Sequence, residues 1–350
     1  MLKLSDFDYN LPKELIAQYP SQKRGEDRLL VLNRENRTFK ERTFLDIRDY
    51  FKKGDLLVLN STKVIPARLF GKRKTGGKVE IFILDKTKVP VEALVRPSGR
   101  IKEGEEVVLE SGDRVRMRGK VSVGRLVEFE SPVDEVIKRT GHVPLPPYIS
   151  RPDEPNDKVR YQTVYAKEEG ATASPTAGLH FTKELLDSLK ALGVNIAYVT
   201  LHVSYGTFAP VKEEDVSKHN MHSEFYRISK ENVTIINEAR NRKSKIFTCG
   251  TTTVRALETC SDEIINFIPG AEKYGEFQNN GFDGFTKLFI YPGYKFRITN
   301  ALITNFHLPK STLLLMTSAL AGREFLFQAY KYAVEKKFRF FSYGDAMLIL

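Results

Sequence analysis

Five of the chain's six histidines stand in four short segments rich in Gly, Pro, Asn and Thr: residues 174–182, 201–208, 219–222 and 305–309. No histidine precedes His142. Turns of this composition end rigid elements and expose side chains there. Imidazole titrates near neutrality, so His180, His202 and His307 are candidate acids, bases or hydrogen-bond donors. A lone histidine is more often structural, and it is the fourfold repetition of one motif style that favours a site. Asn305 belongs to the same cluster as His307, beside a proline-set helix start. His219 and His222, with Glu224 and His202, would be the only ligand set for a metal. The chain has no His-Glu-x-x-His run and its cysteines lie elsewhere, so we expect no metal and read 219–224 as a polar loop over the site.

A second chemistry lies at residues 245–260. An apolar strand, a Gly250-Thr251-Thr252 turn and a helix carrying Arg255 would aim free amides and the positive helix end at one spot, which suits a carboxylate or phosphate. A threonine cap on an ordinary helix is the plainer alternative. The spacing matches neither a P-loop nor a dinucleotide fingerprint. Near the C-terminus, Asp345 follows an aromatic run, Phe338 to Tyr343, at a turn, and is a candidate acid.

These residues need a frame. At 350 residues, 41% hydrophobic and 28% charged, the chain suits a two-domain globular protein. No run approaches a membrane span, residues 1–6 do not read as an export signal, and two cysteines suit a reducing cytoplasm. The net charge of +11 favours a polyanionic partner, against the alternative of a lysine-rich surface. Residues 27–33 and 55–60 read as buried strands and 13–17 as a helix start. From 67 to 130 short β-rich runs alternate with Gly turns, the pattern of a small antiparallel barrel. Its Arg114, Arg116 and Arg118 form a stripe that Glu128 and Glu130 would neutralise across a hairpin. After the stiff connector 141–148, helices (183–192, 231–241, 252–260, 311–321, 324–336) alternate with strands (195–203, 245–249, 287–291), and 262–283 reads as a loop. The expectation is an α/β fold: a mixed α/β main domain, residues 1–66 and 150–350, with an inserted antiparallel β-barrel and connector at 67–149.

The motifs resemble one family almost end to end: S-adenosylmethionine:tRNA ribosyltransferase-isomerases of queuosine biosynthesis. The resemblance rests on Phe7-Asp8-Tyr9-x-Leu11-Pro12, Asn60-x-Thr62-x-Val64-x-Pro66-Ala67-Arg68, Gly141-His142-x-Pro144-Leu145-Pro146-Pro147-Tyr148, the histidine segments, Gly250 to Glu258, Thr304 to Thr312 and Ser342 to Met347. Mild departures are Asp27 in place of serine, Ser61 in place of aspartate, Ser204 in place of glycine and Phe285 in place of tryptophan. The resemblance implies transfer and isomerisation of the donor's ribosyl part onto the aminomethyl group of 7-aminomethyl-7-deazaguanine at the tRNA wobble position. Epoxyqueuosine-tRNA, adenine and methionine are the products. It implies no cofactor beyond S-adenosylmethionine as donor, tRNA as partner, no membrane, a cytoplasmic location and, in our reading, a monomer.

That chemistry needs a base at the carbon beside the sulfonium and an acid for adenine. His180, His202 and His307 are the base candidates and Asp345 the acid or ammonium contact. Gly250, Thr251, Thr252 and Arg255 would hold the methionine carboxylate, and Tyr205 and Phe208 would pack near the sulfonium. Two other classes are a catalytically dead tRNA-binding module and an ordinary methyltransferase. Neither would release adenine.

Overall fold

The computed structural model describes residues 2–203, 211, 213–267 and 281–350. Its largest element is a nine-stranded sheet. In order its strands are Gly281–Thr286, Glu224–Ser229, Asn195–Leu201, Leu56–Asn60, Ile246–Cys249, Ala301–Asn305, Ala346–Ile349, Arg28–Asn33 and Thr38–Thr43. The four from Asn195–Leu201 to Ala301–Asn305 run parallel, so their carboxyl ends share one edge. Ala346–Ile349 runs antiparallel to Ala301–Asn305, which brings the segment before it to that edge too.

The apolar runs are continuous because both faces are covered. In Arg28–Asn33, Leu29 and Val31 pack with Phe44, Phe181 and Leu185 on one side, while Leu30 and Leu32 pack with Phe306, Leu315 and Phe340 on the other. The helices Lys183–Ala191, Lys230–Asn241, Thr251–Thr259, Thr312–Ala321 and Arg323–Glu335 match the sequence expectation to within a residue or two.

Three expectations fail. The segment 262–283 is not all loop: its described ends lie in the helix Ser261–Ile265 and the strand Gly281–Thr286. Residues 13–17 make only the single 3-10 turn Lys13–Leu15, because Ile16 bridges Phe340 and draws the chain into an extended path. Residues 287–291 are not a strand. The strand is Gly281–Thr286, in register with Glu224–Ser229, and at Leu288 the amide is already bonded to Thr286 Oγ1. The strand Glu224–Ser229, paired on both sides, has no long apolar run to mark it in the sequence.

Six strands between Arg68 and Phe129 close into a barrel around Leu69, Ile81, Val95, Val107, Met117 and Val127. The expected neutralisation of the arginine stripe holds in part: Arg118 meets Glu128 at 2.5 Å, but Arg114 meets Glu106 of another strand at 3.3 Å and not Glu128 or Glu130. The helix Val133–Thr140 leads out of the barrel, and Arg68 and His142 exchange backbone hydrogen bonds where the insertion begins and ends. Among the described residues no helix is long and apolar enough to cross a membrane.

Candidate active site

The carboxyl edge of the parallel strands is where an α/β sheet leaves strand ends and helix starts pointing at common space. Asn60 ties that edge together. It is fully buried, its Oδ1 accepts from the amides of Thr62 and Leu201 at 3.1 Å each, and its Nδ2 donates to Leu201 O at 3.0 Å and Thr252 Oγ1 at 3.2 Å. The sequence signal was present, an asparagine ending an apolar run, but its bonds reach across three strands and only the fold reveals them.

A cavity of about 580 Å³ opens on this edge, a volume that suits a small-molecule ligand. One wall is Gly250, Thr251 and Thr252. Gly250 has φ 88°, a left-handed conformation that a side chain would strain, and it turns the chain from strand into the helix Thr251–Thr259. No side chain caps this helix, and its first-turn amides are the donors a helix leaves without an internal acceptor. Lys310 lines the same cavity, with its ammonium 2.6 Å from Asp8. Lys310 was not foreseen, although it sits in the Pro309-Lys310-Ser311 helix start. Another wall is aromatic: Tyr148 stacks on Phe341, with ring centroids 4.4 Å apart, and its hydroxyl bonds Ser342.

Asn305 and His307 line the cavity between these walls. His307 Nε2 lies 2.8 Å from Thr304 Oγ1, and burial pushes its pKa down to about 3, so the ring is neutral through the physiological range. Asn305 is held from both ends: its Oδ1 accepts from Thr176 Oγ1 at 3.0 Å, and its Nδ2 lies 3.0 Å from His180 Nε2. His180 Nδ1 in turn lies 2.7 Å from Asp27 Oδ2. A carboxylate accepts only, so the proton sits on Nδ1, and Nε2 accepts from the amide. Burial alone would raise the Asp27 carboxyl, but His180, Ser21 and Arg339 hold it below the usual carboxylate range.

Several expected site residues are placed elsewhere. His180 is buried outside the cavity lining with both ring nitrogens engaged; it acts on the cavity only through Asn305. Asp345 is also outside the lining. Its carboxylate accepts from the amides of Arg28 and Arg339 at 3.1 and 2.7 Å, and burial raises its pKa. Arg255 is drawn away from the expected carboxylate site: it is buried on its helix against Glu224, with Nε donating to Leu288 O. A lone charge at that depth needs a partner, and Glu224 supplies it. His202 flanks the cavity through its neighbour Val203; its Nδ1 lies 2.8 Å from Thr62 Oγ1, and burial lowers its pKa. His219 packs on Phe289, His222 is exposed and Glu224 is committed to Arg255, and among the described residues no cluster of three or more His, Cys, Asp or Glu could hold a metal. Tyr205 and Phe208 lie outside the described residues.

Fold and site together define an α/β enzyme with an inserted β-barrel and a mostly apolar cavity, set with a few polar groups, at the carboxyl edge of its parallel strands. The profile of one family, described as queuosine biosynthesis protein, matches residues 4–349. The chain belongs to that family. It is 51% identical over the full length of both chains to the S-adenosylmethionine:tRNA ribosyltransferase-isomerase of Sulfurihydrogenibium sp., and 46% identical, again over both full lengths, to that of Aquifex aeolicus. The crystal structure of S-adenosylmethionine tRNA ribosyltransferase from Thermotoga maritima superposes with a TM-score of 0.55 at 37% identity, over 99% of this chain and 100% of that one.

Proposed function

We propose that this protein is an S-adenosylmethionine:tRNA ribosyltransferase-isomerase, a queuosine biosynthesis enzyme. It transfers and isomerises the ribosyl part of S-adenosylmethionine onto the aminomethyl group of 7-aminomethyl-7-deazaguanine at the tRNA wobble position. The products are epoxyqueuosine-tRNA, adenine and methionine. The observation that carries the reading is the end-to-end match to the family at about half identity, joined to a cavity of donor size at the sheet edge.

The cavity's walls divide the donor by chemistry. The amides opening Thr251–Thr259, with Lys310, take the methionine carboxylate; Arg255 has no part in this. The stacked Tyr148 and Phe341 offer ring faces to the sulfonium and to a heterocycle. Asn305 and His307 face the reacting ribose and base. A neutral His307 adds no positive charge beside a sulfonium cation, and it either donates to or accepts from the substrate, depending on its tautomer. His180 is a positioning residue for Asn305. His202 stands at the flank, beside Val203 of the cavity wall.

The test is nucleoside analysis by mass spectrometry of tRNA bearing 7-aminomethyl-7-deazaguanine after incubation with protein and donor. Epoxyqueuosine with one equivalent each of adenine and methionine is expected. Methylated tRNA with S-adenosylhomocysteine would make the protein a methyltransferase.

A further inference from the structure

Most large apolar side chains on the outer strands of the sheet face its core. Phe282 and Ile228 pack there together, opposite one another in the register of Gly281–Thr286 and Glu224–Ser229. Phe285 does not: it is 73% exposed. Strand alternation puts it on the other face, directly opposite Phe225, with Arg227 and Asp283 two residues along. Phe225 meets Phe285 edge to face with centroids 5.8 Å apart, and on its far side it stacks on the His202 imidazole at 5.7 Å and 24°. The Arg227 guanidinium carbon lies 5.5 Å from the Phe225 centroid. His202, Phe225 and Phe285 therefore form a row of rings across two neighbouring strands and the residue that follows Asn195–Leu201, edged by Arg227, itself 3.5 Å from Asp283, and open at the Phe285 end. At the His202 end the row joins the active site, because the next residue, Val203, lines the cavity.

We infer that this row is a stacking platform for an unpaired RNA base beside the nucleotide being modified. Rings on a sheet face with an adjacent arginine are how proteins hold single-stranded bases without reading their identity. Two observations choose RNA over another occupant: the chain's net charge of +11 complements a polyanion, and the row is continuous with the cavity that must receive one nucleotide of an anticodon loop. A flanking nucleotide then has to rest within one step of the cavity mouth. The inference depends on the tRNA-directed reading above for what enters the cavity, but not for the stacking itself.

The chain contains no tryptophan, so Phe285→Trp creates a single fluorescent reporter at the proposed contact. Titration with an anticodon stem–loop, followed in parallel by anisotropy of the labelled RNA, should quench that tryptophan at the same concentrations at which the RNA binds. Phe285→Ala should weaken RNA binding by roughly 5–150-fold, the range for one base–aromatic stack. The Michaelis constant for S-adenosylmethionine should not move, and Phe285→Tyr should restore affinity. Saturated binding without quenching, or alanine binding as tightly as wild type, overturns the inference, as does a Phe285-dependent dimer in sedimentation that RNA leaves intact. Phe285-dependent RNA binding without adenine release would sink the activity reading alone. Adenine release with RNA affinity indifferent to Phe285 would sink the stacking platform alone.

Discussion

The inserted barrel and the carboxyl edge of the main sheet handle charge in opposite ways. Residues 67–149 hold 17 Lys and Arg against 12 Asp and Glu, close to half the chain's excess of +11 in under a quarter of its length. Yet none of the pairs there is deeply buried on both sides: the side chains of Arg118–Glu128 are at least 40% exposed and those of Arg73–Glu105 at least 20%. The interior is apolar except for Arg125, which is buried and donates to Ile101 O at 3.1 Å. At the sheet edge the charges are few and, apart from Lys310 with Asp8, buried. Arg255 and Glu224 have side chains 3% and 1% exposed, and Asp27 and His180 lie 7% and 3% exposed. Water screens the first set and not the second, so equal numbers of ion pairs carry very different energies. A count of charges thus points to the barrel, whereas the groups arranged to do chemistry lie where polar side chains are buried and bonded to partners far away in the chain.

The comparison is sharpest at His307. Replacing it by alanine should lower turnover by ~10²–10⁴, the range for a positioned acid–base or hydrogen-bonding group, while tRNA still binds. Single-turnover adenine release measures this. A rate within threefold of wild type would deny the sheet edge its special status. Asn305→Ala should fall in the same direction, since the Asp27–His180–Asn305 chain exists to hold that amide.

A smaller but still large effect is expected at Arg255. Arg255→Ala leaves Glu224 buried without its cation, at a cost of about 3–5 kcal/mol in stability. Denaturant unfolding should show it, and the Michaelis constant for S-adenosylmethionine of the folded protein should be unchanged. A raised donor Michaelis constant with normal stability would return Arg255 to the donor site.

At the bottom of the scale stands the barrel. Arg118→Ala removes a pair whose partners are both well exposed, and such pairs contribute about 0–1 kcal/mol. Unfolding midpoints with and without 0.5 M salt should barely differ from wild type. A loss comparable to that at Arg255 would mean that exposure does not govern the contrast.

Local pattern determined much of this protein. Apolar runs such as Arg28–Asn33 and Leu56–Asn60 read as buried strands because both their faces need cover, and caps such as Thr182 and Ser311 mark helix starts through bonds to amides three residues on. Gly250-Thr251-Thr252 read as a strand–turn–helix junction for the same local reasons, and the end-to-end motif series was enough for the family. Tertiary structure decided the roles. Whether a histidine faces a cavity or a carboxylate depends on what long-range pairing brings beside it: Asp27 is 153 residues from His180, and Asn305 is 125. Arg255 lies one turn into its helix, where a sequence reading aims it at the helix mouth, but the pairing of Glu224–Ser229 at the sheet edge delivers Glu224 to it instead. Burial and partner set the work of an ionisable group, and both come from contacts between residues far apart in the chain.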